Sequence, residues 1–332
     1  MCTAISVRSK EGLIAGRTME FGFDLNFTTI FLPRQYEIVK NSGTEGDKLT
    51  TQYAFMGSNF LDLNGVNDGI NEHGLMGSIN YFPGYASYQE KASGTKKYSL
   101  GPENLLSFIL GNCKDIDEVK ELIKDVELIE SVQEALGFTL PLHYALFDKA
   151  GNAIVIEPQD KTLYIHDNPV GVMTNSPDFQ WHLTNLRNYV NNSPVNSDSV
   201  TLRDTTFTKF GQGTGLVGIP GDFTPPARFV RAAFFAGNMP EQETSAMAVN
   251  QAFHILNNFD LPLGSTVDHN APKESQCEIT FYTAVMDSNT LEYYIKSHLE
   301  LNIHRYRLTD FDFDSKEKII HPLDKHTTFI EA

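Results

Sequence analysis

The second residue of the chain is a cysteine, and a cysteine in that place can do chemistry that one elsewhere cannot. It is small enough for the initiator methionine to be removed, and removal would leave one residue carrying both a thiol and a free α-amine. The amine has a reference pKa of about 8 and the thiol of about 8.5, so at neutral pH the amine can take the thiol proton directly or through one water. Such a residue needs no histidine partner. Its thiolate would attack an amide carbonyl, expel the amine, and leave a thioester for water to open. On position alone, Cys2 as a packed residue of a first strand is the better reading.

Other patterns with chemical meaning fail on context. Gly213-Thr-Gly215-Leu-Val-Gly218 matches a dinucleotide fingerprint, but that fingerprint must open directly into a helix. Here Ile219-Pro220-Gly221 and Pro225-Pro226 follow, so a glycine-rich loop ahead of a helix near Ala227 is expected. The stretch from Asp62 to His73 offers oxygen ligands, yet Asn67 and His73 stand where a calcium loop needs Gly and Glu, and it reads as a polar turn. Ten histidines occur without an H-x-x-x-H grouping, and Cys2, Cys113 and Cys277 form no Cys-x-x-Cys pair, so no metal site and no cofactor is expected. No Gly-x-Ser-x-Gly elbow occurs either.

The elements that must position Cys2 begin with a hairpin. Apolar Thr3 to Val7 and Leu13 to Arg17 flank the polar turn Ser9 to Gly12. Further strands are expected over Thr28 to Leu32, Tyr53 to Met56 and Leu75 to Phe82, then as a meander over Leu142 to Phe147, Ala153 to Glu157 and Thr162 to His166. Pro102 suits the first turn of a helix that Gly111 stops, and Asp115 can cap a second with Ile116, Val119, Leu122 and Ile123 at helical spacing. Helices are expected again over Phe179 to Val190, Ala227 to Ala236 and Thr244 to Leu256. Strands over Glu278 to Met286, Leu291 to Lys296 and Asn302 to Leu308 close the chain. Hairpin-length connections within the strand blocks predict mainly antiparallel sheets in an α+β layered architecture. No linker or repeat divides the 332 residues, so one domain over 1–332 is expected.

Composition excludes some partners. Forty-two Asp and Glu against 26 Lys and Arg give a net charge of −16, which repels nucleic-acid phosphates and anionic bilayers. No apolar run approaches the roughly 20 residues of a membrane-spanning helix. Met1 to Arg8 lacks the apolar core of a secretory signal, so a cytoplasmic location is expected.

Several blocks, in order, resemble the choloylglycine hydrolase family of N-terminal nucleophile hydrolases, in its penicillin V acylase and bile salt hydrolase branches. They are Met1-Cys2-Thr3, Gly16-Arg17-Thr18-Met19-Glu20-Phe21, Asp68-Gly-Ile-Asn-Glu72-His-Gly-Leu75, Tyr81-Phe82-Pro83-Gly84-Tyr85-Ala86, Pro141-Leu142-His143, Gly171-Val-Met-Thr-Asn175-Ser-Pro177, and Gly218-Ile-Pro-Gly-Asp222 with Ala227-Arg228-Phe229. The resemblance implies an αββα four-layer sandwich, a homotetramer, and hydrolysis of a non-peptide amide in a small-molecule acyl substrate. It implies Cys2 as nucleophile, Arg17 beside its sulfur, Asn175 with the backbone N–H of Tyr81 as oxyanion donors, and Arg228 as a second arginine steadying the site. An oxyanion donor of this kind contributes roughly 3 to 4 kcal/mol.

Glu20 stands where the family has Asp holding the nucleophile's amine, and Asp24 is a second candidate for that contact. Because the longer side chain shifts the carboxylate, a degenerate acyl-binding protein is the reading from a different class. Tyr81 matches a position that is Tyr in penicillin V acylases and Asn in bile salt hydrolases. It favours penicillin V, with conjugated bile salts and N-acyl homoserine lactones as alternatives. Met19, Phe21, Phe23, Phe60, Tyr81, Phe82 and Leu142 are expected to form the apolar wall of the acyl site.

Overall fold

The computed structural model describes residues 1–38, 49–60, 65–133, 136–323 and 326–329. The first strands are β1 (Cys2–Arg8), β2 (Leu13–Phe21), β3 (Thr28–Leu32), β4 (Phe55–Asn59), β5 (Asp68–Asn71) and β6 (Met76–Tyr81). Helices α1 (Leu105–Asn112) and α2 (Ile116–Leu122) follow, then β7 (Leu142–Phe147), β8 (Ala153–Gln159), β9 (Thr162–Asp167) and β10 (Val172–Met173). Helices α3 (Phe179–Asn185), α4 (Pro225–Gly237) and α5 (Ser245–Leu256) precede β11 (Ile279–Asp287), β12 (Glu292–Ser297), β13 (His304–Arg307) and β14 (Ile319–Pro322).

Two large sheets result, of six strands in the order β10-β1-β2-β11-β12-β13 and of eight in the order β9-β8-β7-β6-β5-β4-β3-β14, beside four two-stranded ones among the described residues. Every pairing within both is antiparallel. The sheets face each other, β1 and β2 meeting β6 while β11 and β12 meet β5. Helices α4 and α5 cover the six-stranded sheet, and α1 lies on β5 and β6. This is the αββα sandwich, with fully buried Ile5, Ile14, Phe55, Ile70, Tyr144 and Leu256 in its interior. Each such side chain contributes roughly 1.5–3 kcal/mol by leaving water.

The hairpin forms where the sequence predicts it, with Ser9 accepting at its Oγ from the N–H groups of Glu11 and Gly12. Its second strand, however, runs to Phe21 and not only to Arg17. Arg17, Thr18 and Glu20 interrupt the apolar run, yet β2 is a central strand with ladder partners on both sides, so its polar residues are buried with it. Asp115 caps α2 by accepting from the Glu118 N–H, as expected. The expected helix over Phe179 to Val190 stays α-helical only to Asn185 and tightens to a 3₁₀ turn over Leu186–Tyr189. Gly213 takes φ 88° ahead of a single 3₁₀ turn, and the next α-helix starts only at Pro225, so the fingerprint match is a loop. Positions 62–64 of the calcium-like stretch lie outside the described residues.

One close approach fixes the middle of the eight-stranded sheet. Gly57 on β4 lies opposite Gly69 on β5, and a Cβ on Gly57 would stand 1.8 Å from the Asp68 carbonyl oxygen. Only glycine permits that spacing, and it sets where Asp68 sits.

Candidate functional site

Cys2 opens β1 directly opposite Met19 of β2, while Arg17 lies opposite Ala4. Residues paired across a ladder share a face, so Cys2, Ala4, Arg17 and Met19 all project from the same side of the sheet. The Arg17 guanidinium donates from Nη2 to Cys2 Sγ at 2.8 Å and from Nη1 to Asp68 Oδ2 at 3.2 Å. Cys2 is 3% exposed, and Arg17 and Asp68 are fully buried. Burial opposes the charge on Arg17, but Cys2, Tyr282, Asp68 and Glu20 around it outweigh that effect and raise its pKa. The guanidinium is therefore a permanent cation held against the sulfur.

Asp68 was not among the sequence-predicted site residues. Its Oδ2 also accepts from Ser58 Oγ at 2.8 Å and Tyr282 Oη at 2.6 Å, and its Oδ1 accepts from Tyr293 Oη at 2.6 Å. Both phenols are held protonated, first by burial and then by the Asp68 charge, so they remain donors. One carboxylate thus balances Arg17 and ties the two sheets together behind the sulfur. Asp68 opens one of the motif blocks of the resemblance, but nothing in the residue types around it marks a partner 51 positions away.

Asn175 follows β10 and reaches the backbone of Cys2. Its Oδ1 accepts from the Cys2 N–H at 2.9 Å and from Arg228 Nη2 at 2.7 Å, and its Nδ2 donates to the Tyr81 carbonyl at 2.7 Å. An amide nitrogen has two hydrogens, so one remains for a ligand. Arg228, buried at the start of α4, also donates to the Cys2 carbonyl, Thr3 Oγ1 and the Phe223 carbonyl. Burial lowers its pKa, and Glu20 and Cys2 counter that in part. His182 of α3 sits at the Asn175 carbonyl, 2.8 Å from Nε2, and stacks on Phe229 at 4.6 Å. Burial pushes its pKa down to about 4, so the ring is neutral at physiological pH and donates from Nε2.

Glu20 is buried on β2 and lines the same cleft as Cys2 and Met19. Its Oε1 accepts from Thr280 Oγ1 at 3.2 Å, while Oε2 has no hydrogen-bond partner. Burial raises its pKa, with the chain's α-amine and then Arg228 acting against that. It is the Glu20 main-chain carbonyl that accepts from the Met1 amine at 2.8 Å. Asp24, the second candidate, is exposed and accepts from the Asn26 N–H.

An apolar cleft opens beside Cys2, lined by Met19, Phe21, Phe60, Tyr81 and Leu142 as expected. Leu25, Phe27, Ile79 and Leu140 join them without having been predicted. Two expectations need correction. Phe82 is fully buried behind the cleft, stacked on His143 at 4.3 Å and 6°, because strand alternation turns it away from Tyr81. Phe23 is 41% exposed beyond the end of β2 and touches the cleft only through an edge-to-face contact with Phe21. The cavity is narrow, about 50 Å³. A wider groove of about 560 Å³, bounded by Lys96, Lys124 and Lys161, has no cysteine among its lining residues.

Among the described residues no cluster of three or more His, Cys, Asp or Glu could hold a metal ion, and no helix is long and apolar enough to cross a membrane. Residues 2–321 match the profile of the linear amide C–N hydrolases, choloylglycine hydrolase family. A bile salt hydrolase/transferase of Clostridium perfringens is 36% identical over 322 residues, 96% of this chain and 95% of that protein. A crystal structure of the C2A mutant of conjugated bile acid hydrolase from Clostridium perfringens superposes with a TM-score of 0.89 at 32% identity, covering 100% of this chain and 99% of that one. A penicillin V acylase of Pectobacterium atrosepticum is 24% identical over 90% of this chain and 78% of its own length. With an N-terminal cysteine backed by a buried arginine, on this fold and with these relatives, the chain belongs to the choloylglycine hydrolase family of linear amide C–N hydrolases.

Proposed function

We propose that the chain, once Met1 has been removed, hydrolyses the amide bond of conjugated bile salts through Cys2. The observation that carries this reading is the 2.8 Å hydrogen bond from Arg17 to Cys2 Sγ at the floor of an apolar cleft. The freed α-amine takes the thiol proton, and the thiolate attacks the amide carbonyl. The second N–H of Asn175 and the Tyr81 N–H take the charge on the tetrahedral oxygen. Strand alternation supports the latter, since the Ile79 N–H two residues earlier points to the Asn67 carbonyl on the cleft side. The protonated amine gives its proton to the leaving nitrogen, and a thioester remains. Water, deprotonated by the same amine, opens the thioester and releases the bile acid. Glu20 holds the ammonium form of the amine, and Arg228 holds Asn175 against Cys2.

The sequence resemblance favours penicillin V through Tyr81, but similarity is greater to the bile salt hydrolase/transferase than to the penicillin V acylase. That moves the acyl group from aryloxyacetyl to steroid, and the narrow cavity then has to widen at Phe21 and Tyr81. Penicillin V stays as a second reading, supported by the half-buried Tyr81 ring in the cleft wall. Incubation with glycocholate and with penicillin V, followed by quantitation of the released amines, separates them. Release from glycocholate is expected, and release from penicillin V alone defeats the bile salt reading. If neither the parent nor Glu20→Asp turns over either compound while cholate binds, the chain is an acyl-binding protein. A homotetramer is part of the same proposal, and light scattering coupled to gel filtration measures it.

A further inference from the structure

A second layer of buried polar residues lies behind Asn175. His143 on β7 is 2% exposed, and both ring nitrogens face oxygen: Nδ1 is 3.2 Å from Glu157 Oε1, and Nε2 is 3.1 Å from the Thr174 carbonyl. The Thr174 carbonyl can only accept, so Nε2–H donates to it. Glu157, fully buried on β8, takes the Phe179 N–H at the start of α3 on both oxygens, at 3.0 and 3.2 Å. Asn80, directly across the ladder from His143, donates from Nδ2 to the same Thr174 carbonyl at 2.7 Å. The Phe82 ring lies flat on the imidazole and fixes its plane.

The peptide whose carbonyl is pinned in this way is the one that leads into Asn175, and the helix that begins at Phe179 brings His182 to the Asn175 carbonyl. One carboxylate therefore orients both ends of the segment. We propose that His143 and Glu157 are positioning residues that set the direction of the Asn175 amide, an inference that rests on Asn175 as an oxyanion donor. They touch no substrate. They act because an amide donor aimed wrongly by an ångström loses its effect on the transition state while leaving the acyl cleft intact.

Two substitutions at one position separate aim from bulk. In His143→Asn the amide can stand near the Nδ1 site and keep Glu157 partnered, but it cannot reach Thr174. In His143→Gln the amide reaches the Nε2 site. His143→Asn is expected to lower kcat for glycocholate by about tenfold with KM within about twofold, and His143→Gln to recover most of that loss. In an Asn175→Ala background His143→Asn should add less than about twofold, because both act through one amide. Losses that multiply in full, or a Gln variant no better than the Asn variant, overturn the proposal.

Full turnover by Asn175→Ala alone overturns the oxyanion reading, and the positioning role with it. An impaired Asn175→Ala beside an unimpaired His143→Asn overturns only the positioning role. Should His143→Asn not fold, Glu157→Gln, which keeps an acceptor for Phe179, must show the same fall in kcat. A crystal structure of either folded variant tests the aim without any substrate: an Asn175 amide unmoved from its place against Cys2 overturns the proposal.

Discussion

Arg17 and Asp68 form a buried ion pair of the kind that is costly to break and cheap to leave alone. Removing one partner leaves the other charged in a site closed to water, so Asp68→Ala should cost about 3–5 kcal/mol of stability, read by chemical denaturation. Turnover of the folded fraction should fall as well, since Arg17 would no longer be held against the sulfur. A variant as stable as the parent would show that Tyr282, which accepts from Arg17 Nη1 at 3.3 Å, holds the arginine without Asp68. Glu20 behaves in the opposite sense. Its pKa is raised in the folded state, so above the ordinary carboxylate range the unfolded chain has lost a proton that the folded chain keeps. Stability is then surrendered as pH climbs through that interval. Glu20→Gln should flatten this part of the melting-temperature profile and stand above the parent at pH 8, while turning over more slowly. Parallel profiles would mean that the buried acid is already compensated.

At the scale of the element, α3 and the glycine crossing make separable predictions. His182 titrates ordinarily at 6.5 in the unfolded chain and at about 4 when folded. Stability tied to it is complete above about 6.5 and is lost as pH falls towards 4, by ~3 kcal/mol in all. His182→Gln should remove most of that acid sensitivity in a denaturation series at pH 7, 6, 5 and 4. Gly57→Ala should fold poorly or with β4 and β5 forced apart, since its methyl group meets the Asp68 carbonyl. A well-behaved, fully active Gly57→Ala protein would refute the claim that this crossing places Asp68.

These elements also show what could be read beforehand. The strands whose apolar residues face the interior, such as Leu142–Phe147, announced themselves through hydrophobicity, and the Asp115 cap through its residue type. The far half of β2 did not, because a strand that lines a reaction site carries charges where a pattern-reader expects Val or Ile. Cys2 was legible from its place in the chain and its own chemistry, whereas Arg17, Asn175 and Arg228 were legible only as motif blocks. Asp68, His143, Glu157 and His182 escaped because their meaning lies in partners 51, 31, 22 and 7 residues away along the chain.

Seen whole, the molecule carries a net charge of −16, while a conjugated bile salt is itself an anion. Like charges slow encounter, and raising ionic strength from about 0.01 to 0.15 M shortens the Debye length from about 30 to 8 Å. KM for glycocholate should therefore fall over that range, and KM for an uncharged acyl amide should not. A KM for glycocholate indifferent to salt would place a local cationic rim above the global charge. The strand that opens with Cys2 is hydrogen-bonded on both flanks, to β2 from Cys2 onward and to β10 at Ala4 and Ile5. Any affinity handle fused ahead of Cys2 would have to thread out past the Glu20 carbonyl and would leave the amine capped. With that amine as the proposed base, purification tags belong at the other end, and a fusion made the usual way round is expected to yield a folded but silent protein, easily mistaken for one with no activity to find.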